Sequence, residues 1–181
     1  MEEEFIESDY TKDDSYKTLQ TINTWISNID TKVSFTLAFI GVISTLIFKS
    51  EQPNALERVC EVSKLGELNG GEVIGAILVV ILYILSFMSI ICFMLAITAR
   101  VKNENNNKSI FFFGSIASMS LSEYKEKING ISANNIVEDL QEQIYTNSKI
   151  CSKKVKFYNL GNKILLLMIV VWFICTSFRL L

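Results

Sequence analysis

The stretch VIGAILVVILYILSFMSIICFMLAITA, residues 73–99, runs 27 positions without a charged side chain. A helix rises about 1.5 Å per residue, so roughly 20 apolar residues are enough to cross the hydrocarbon of a bilayer. Helices of water-soluble cores rarely keep so long a run unbroken by charge. The run therefore decides the class: an all-α integral membrane protein.

Two shorter apolar runs flank it, Val33–Phe48 and Ile164–Phe178. Lys32 and Lys49 border the first, Lys163 and Arg179 the third, and these long side chains lengthen a short span by reaching back to water. The expected organisation is an acidic N-terminal segment (1–14), then a stalk helix continuing into the first span (15–49). An outer loop (50–72), the second span (73–99), a helical region (100–163) and the third span (164–181) follow. An N-terminus rich in Asp and Glu is unlike a cleavable signal, which opens basic and turns apolar at once.

Basic residues set the orientation. The 50–72 loop holds two, Arg58 and Lys64, whereas ten lie between Arg100 and Lys163. The second segment is expected in the cytoplasm, with the N-terminus beside it and the C-terminus outside.

Local patterns fill in the helices. Leu19, Ile22, Ile26, Ile29 and Val33 recur at spacings of 3, 4, 3 and 4, as do Val137, Leu140, Ile144, Asn147 and Cys151. Both are seams of the bundle type. Ser120 and Glu123 have capping-box spacing, Gly130 ends that helix, and Asn134 is the expected cap of the next, from Ile136. The pair Gly70-Gly71 is expected to break the chain before the second span. NENNNKS (103–109) reads as a polar turn, and IFFFGSIASM (110–119) as a short strand or an interfacial segment.

Catalysis finds little footing. The chain has no histidine, and its four cysteines are scattered without a C-x-x-C pair, so neither a zinc site nor a histidine base is expected. No phosphate-cradling glycine loop or nucleophile elbow occurs. We expect no enzyme, no metal and no cofactor.

Three groups of residues remain as candidates. Ser34, Ala38, Gly41 and Thr45, with Ser44 beside them, form a stripe of small side chains along the first span. Small residues let helix backbones meet closely in lipid, so the stripe packs either on another span or around a symmetric axis. Ser86, Ser89 and Ala96 make a weaker version on the second span. Asp30 and Lys32 stand where the first helix leaves water, as interfacial anchors or as charged rings at the cytoplasmic mouth of a pore. Lys149, Lys153, Lys154, Lys156 and Lys163 form a basic cluster for anionic lipid or an anionic ligand, with Tyr145, Phe157 and Tyr158 available to stack on bases. No charge lies deep in any span, which argues against a proton-coupled transporter.

Three segments carry a resemblance. WISNIDTKVSFTLAFIGV (25–42), FFFGSIASMSLSEY (111–124) and EDLQEQIYTNSKICSKKVKFYNLGNKILLL (138–167) are similar, in that order, to segments of the transmembrane effectors of bacterial Pycsar anti-phage systems. The resemblance covers about residues 15–181; Val33 and Ser115 depart from it, and no separate cyclic-nucleotide domain is present. It implies a protein of the bacterial inner membrane that oligomerises or opens on infection and destroys the membrane barrier. It also implies control by a nucleotide or single-stranded oligonucleotide from a companion nucleotidyltransferase or cyclase, without readout of double-stranded DNA. A homo-oligomeric channel is the expectation; a membrane-anchored scaffold recruiting a toxic partner is the alternative.

Overall fold

The computed structural model describes residues 10–48, 53–62, 68–99 and 108–181. Most of the acidic N-terminal segment, Lys49, Lys64, Arg100, Lys102 and most of the 103–109 turn lie outside the described residues. Among the described residues there are six helices: α1 Lys12–Ile47, α2 Asn54–Glu61, α3 Gly70–Thr98, α4 Phe113–Ala117, α5 Leu121–Gly130 and α6 Ala133–Ser177. No described residue lies in a strand. Helices α1, α3 and α6 are long and apolar enough to cross a membrane, as the three runs predict.

The chain divides into two units, the first of residues 1–28 and 99–153, the second of 29–98 and 154–181. In the second, buried side chains of α3 recur at Val79, Leu82, Ser86, Ser89, Phe93 and Ala96, with Cys92 buried beside Phe93. These spacings of 3 and 4 produce one inward seam. Val33, Ile40, Ile43 and Ile47 of α1 and Leu165, Met168, Val171 and Cys175 of α6 complete the core. The outward faces carry Phe35, Phe39, Ile77, Ile84, Phe87, Leu166 and Phe173, all exposed. Apolar residues outside as well as inside are what a lipid solvent requires.

Two glycines permit close approach. A methyl group on Gly161 would sit 3.0–3.2 Å from three ring carbons of the buried Phe93, and one on Gly75 would meet Leu180 and Ala55. Gly161 thus seats Phe93, and Gly75 makes room for the end of the chain. After α6 the backbone closes with Leu180 N–H on the Cys175 carbonyl and Arg179 N–H on that of Thr176. Arg179 holds a left-handed conformation, φ 53°, in the helix-closing motif that usually takes glycine.

In the first unit, Leu19 and Ile22 of α1 and Leu140 of α6 are buried. Asn147 donates to the Asn23 side chain at 2.8 Å, and Asp139 accepts the Ile110 N–H at 2.8 Å. Ser120 and Glu123 form the expected capping box around the start of α5. The Ser120 amide, then its hydroxyl, then the nearby Lys108 charge hold the Glu123 carboxyl below its ordinary value.

Several boundaries differ from the sequence reading. Helix α1 starts at Lys12, not Ser15, because Thr11 and Asp14 cap it: the Thr11 hydroxyl accepts the Asp14 N–H while Asp14 accepts the Thr11 N–H. Gly70 and Gly71 open α3 instead of breaking the chain, since Asn69 and Glu72 exchange the same reciprocal bonds at 2.9 Å. The 50–72 loop contains α2. Residues 113–117 form one helical turn, with the Ile116 N–H on the Phe112 carbonyl, rather than a strand. The cap of α6 is Ser132, whose hydroxyl accepts the Asn135 N–H; Asn134 lies inside the helix.

Candidate functional site

Membrane helices gain nothing from hiding hydrocarbon from hydrocarbon, so contact shape and polar bonds decide which faces meet. On α1 three kinds of face run along the span. Val33, Ile40, Ile43 and Ile47 pack into the core; Phe35, Phe39, Val42 and Leu46 are large and exposed. The third face is the small one, and Ser34, Ala38, Gly41 and Thr45 are all exposed. A methyl placed on Gly41 would find nothing within 4 Å. Ser34 and Thr45 turn their hydroxyl hydrogens back to the carbonyls of Asp30 and Val42. Their oxygen lone pairs stay available on the outer surface. Ser44 lies at the edge of this face, its hydroxyl oxygen buried without a partner. Thr31, also exposed, continues the stripe three residues earlier, a member that the sequence reading missed.

The weaker stripe on α3 has the opposite fate. Ser86, Ser89 and Ala96 are wholly buried, and Ser89 donates to the Gly161 carbonyl at 3.4 Å. Small residues on α3 serve packing within the chain; those on α1 are left uncovered by it.

Where the second unit ends at Thr98, Lys154 corrects the sequence reading. It is not a member of an exposed basic cluster: its exposure is 0%. Its ammonium donates to Asp30 at 2.5 Å and to the carbonyls of Ala96 at 3.1 Å and Ile97 at 2.8 Å. Those carbonyls belong to the last turn of α3, where no helical N–H remains to satisfy them, and the helix dipole adds negative charge there. One lysine on α6 thus caps α3 and pairs with α1. Asp30 accordingly turns inward, with its side chain 41% exposed, while Lys32 two residues later is exposed. The two do not form one charged set.

The other lysines remain outward. Lys153, Lys156 and Lys163 are exposed, and Lys149 is half-buried with its ammonium 4.3 Å from the centre of the Tyr145 ring. Lys149 and Lys153 belong to the first unit, Lys156 and Lys163 to the second. Phe157 and Tyr158 are not free to stack on a base: both pack against the core, Tyr158 edge-on to Phe93 at 6.0 Å.

The first unit also holds a cleft of about 520 Å³. Five carboxylates line it (Glu123, Glu126, Glu138, Asp139 and Glu142) against two ammonium groups, Lys108 and Lys127. That surplus of negative charge repels phosphate. No described group of His, Cys, Asp and Glu is arranged to hold a metal ion.

The family model for the PycTM Pycsar effector protein domain matches residues 14–180. The Pycsar effector protein GmPycTM of Gulbenkiania mobilis is 33% identical over 164 residues, covering 83% of each chain. No solved structure matches.

Proposed function

We propose, because this chain belongs to the PycTM family of Pycsar effector proteins, that it acts by assembling copies of itself through the small face of α1 into an ion-conducting path. Family membership makes it a membrane-spanning effector of anti-phage defence. The pore is the further step, and one observation carries it: Ser34, Ala38, Gly41 and Thr45 stand uncovered in a single chain. Lipid tails fill large outward side chains well but gain little at a groove of small ones, where a second helix approaches closely instead. Hydroxyl oxygens along that groove suit partly dehydrated ions without placing a fixed charge in the membrane.

In this reading the N-terminus and residues 100–163 face the cytoplasm of the bacterial inner membrane, by the excess of Lys and Arg there. A nucleotide or oligonucleotide signal from a companion cyclase opens the path, and depolarisation arrests the cell. Lys156 and Lys163, exposed just before the third span, meet lipid phosphate. The acidic cleft of the first unit is a poor phosphate site, so the signal binds elsewhere.

Gly41→Leu tests the proposal. Nothing within the chain obstructs the new side chain, so the fold and membrane level are expected to hold while toxicity and bilayer conductance are lost. Phe39→Leu, on the exposed large face, is expected to keep both. Full toxicity of Gly41→Leu at the normal membrane level would defeat the pore and favour the scaffold.

A further inference from the structure

Where α6 ends, the second unit holds an open cavity of about 370 Å³ lined by Leu46, Asn54, Trp172, Thr176, Arg179 and Leu181. No carboxylate side chain lines it, and none of the described salt bridges involves Arg179. The guanidinium therefore brings five N–H donors. Asn54 uses one amide hydrogen on the Arg179 carbonyl at 3.3 Å and has a second to give. Trp172 brings an indole N–H, which is donor only. Thr176 spends its hydroxyl hydrogen on the Trp172 carbonyl at 2.9 Å and keeps only acceptor lone pairs. The guanidinium, the Asn54 amide and the indole N–H suit an anion, and Leu46 and the Leu181 side chain give the same cavity an apolar side.

The backbone points the same way. Arg179 occupies a left-handed conformation, φ 53°, that costs any residue with a Cβ about 1 kcal/mol or more relative to glycine. The cavity-facing helix end is fixed there by bonds from α2: the Asn54 side chain to the Arg179 carbonyl and the Ala55 N–H to that of Leu180 at 3.2 Å. Glycine would close the helix more cheaply, so the strain is kept for the side chain.

We infer that this cavity binds the phosphate of a phospholipid, the guanidinium holding phosphate oxygens, the Asn54 and Trp172 N–H groups assisting, and the lipid's glycerol and first methylenes lying along Leu46 and Leu181. Arginine suits the task because its planar fork pairs with two phosphate oxygens at once. The site is distinct from the lysines at the other end of the third span. It requires only that Arg179 lie near a headgroup layer, and it does not depend on a pore.

Arg179→Gly separates the lipid role from a merely structural one, because the two readouts should move in opposite directions. Thermal stability of the purified full-length chain in lipid-free detergent should rise by a few degrees as the strained residue is relieved. Retention of phosphatidylglycerol, counted by native mass spectrometry after extraction from nanodiscs of phosphatidylglycerol and phosphatidylcholine, should fall at least fivefold. Arg179→Lys, which keeps charge but not the fork, should fall in between. Inorganic phosphate at millimolar concentration is the second arm: protection of the wild type without lipid would assign the site to free phosphate and overturn the lipid assignment. Undiminished lipid retention in Arg179→Gly would overturn it too. If Arg179→Gly fails to accumulate, Trp172→Phe, which removes only the indole N–H, should still lower retention, and an unchanged count would count against the site. Conductance is recorded in parallel; its absence in the wild type would sink the pore and leave the lipid result standing.

Discussion

Lys154→Met should destabilise the folded membrane unit by about 3 kcal/mol, and the size follows from its three bonds. Methionine fills the space but donates nothing. The Ala96 and Ile97 carbonyls each lose a charge-assisted bond worth about 1.5 kcal/mol net. The Asp30 pair adds less than about 1 kcal/mol, because a carboxylate whose side chain is 41% exposed regains water when released. Asp30→Asn keeps both carbonyl bonds and an amide oxygen for the ammonium. The dipole at the end of α3 still offsets part of the charge, so that substitution should cost only about 1 kcal/mol. The order of the two is the decisive measurement. If Lys154 were chiefly an ion-pair partner, losing Asp30 would strand a buried charge at a cost of about 3–5 kcal/mol, the larger effect of the two. Unfolding by sodium dodecyl sulfate in mixed micelles, followed by far-ultraviolet circular dichroism, reads both. Asp30→Asn costing more than Lys154→Met would refute the capping argument.

Two further outcomes rest on the fold alone. Gly161→Ala gains about 1 kcal/mol of helix propensity but presses a methyl on three carbons of the buried Phe93 ring, an overpacking of about 1–3 kcal/mol. A net loss is expected in the same titration, recovered in part by Phe93→Leu; a stabilised Gly161→Ala would contradict the contact. Ser120→Ala should remove the hydroxyl half of the α5 cap, about 1 kcal/mol of helix stability, and raise the Glu123 carboxyl part of the way towards its ordinary value in an NMR titration, the residue 120 amide still holding it low. Because Glu123 is held low in the folded chain, its contribution is complete above the ordinary glutamate value. It fades as pH falls through the lowered one. Ser120→Ala should flatten that acid dependence, and an unchanged Glu123 titration would count against the box.

Hydropathy made the three spans legible, because a bilayer imposes one demand on every residue of a crossing helix. Local capping was legible wherever side chain and backbone lie three residues apart, as at Ser120 and Glu123. The same spacing was present but unread at Thr11–Asp14 and Asn69–Glu72. The two stripes of small residues could not be told apart in sequence. Ser34, Ala38, Gly41 and Thr45 are exposed and Ser86, Ser89 and Ala96 buried, yet both lie on helices apolar all round, so no contrast in hydropathy marks the inward face. Lys154 looked like its neighbours because a run of lysines reads as a solvated face. The missed signal is periodic. The seam Val137, Leu140, Ile144, Asn147, Cys151 continues by 3 to Lys154, then to Tyr158, Gly161, Leu165 and Met168, at spacings of 4, 3, 4 and 3.

A fully buried lysine is an expensive way to join helices, and an apolar side chain of similar size is often no less stable in such a place. Its retention here has a geometric reason. Aliphatic contacts within the bilayer are nearly exchangeable with lipid tails, so they do little to fix how far α3 slides along its neighbours. The Ala96 and Ile97 carbonyls are not exchangeable, because lipid offers no donor for them. A donor on α6 that must reach both, and also Asp30 of α1, admits one register among many that hydrocarbon packing would tolerate. With the register set by that polar point and by the Phe93–Gly161 contact, α1 has no need to bury its small face against its own chain. The polar clamp thus fixes the register of α3 while Ser34, Ala38, Gly41 and Thr45 stay uncovered by their own chain, as the proposed assembly requires.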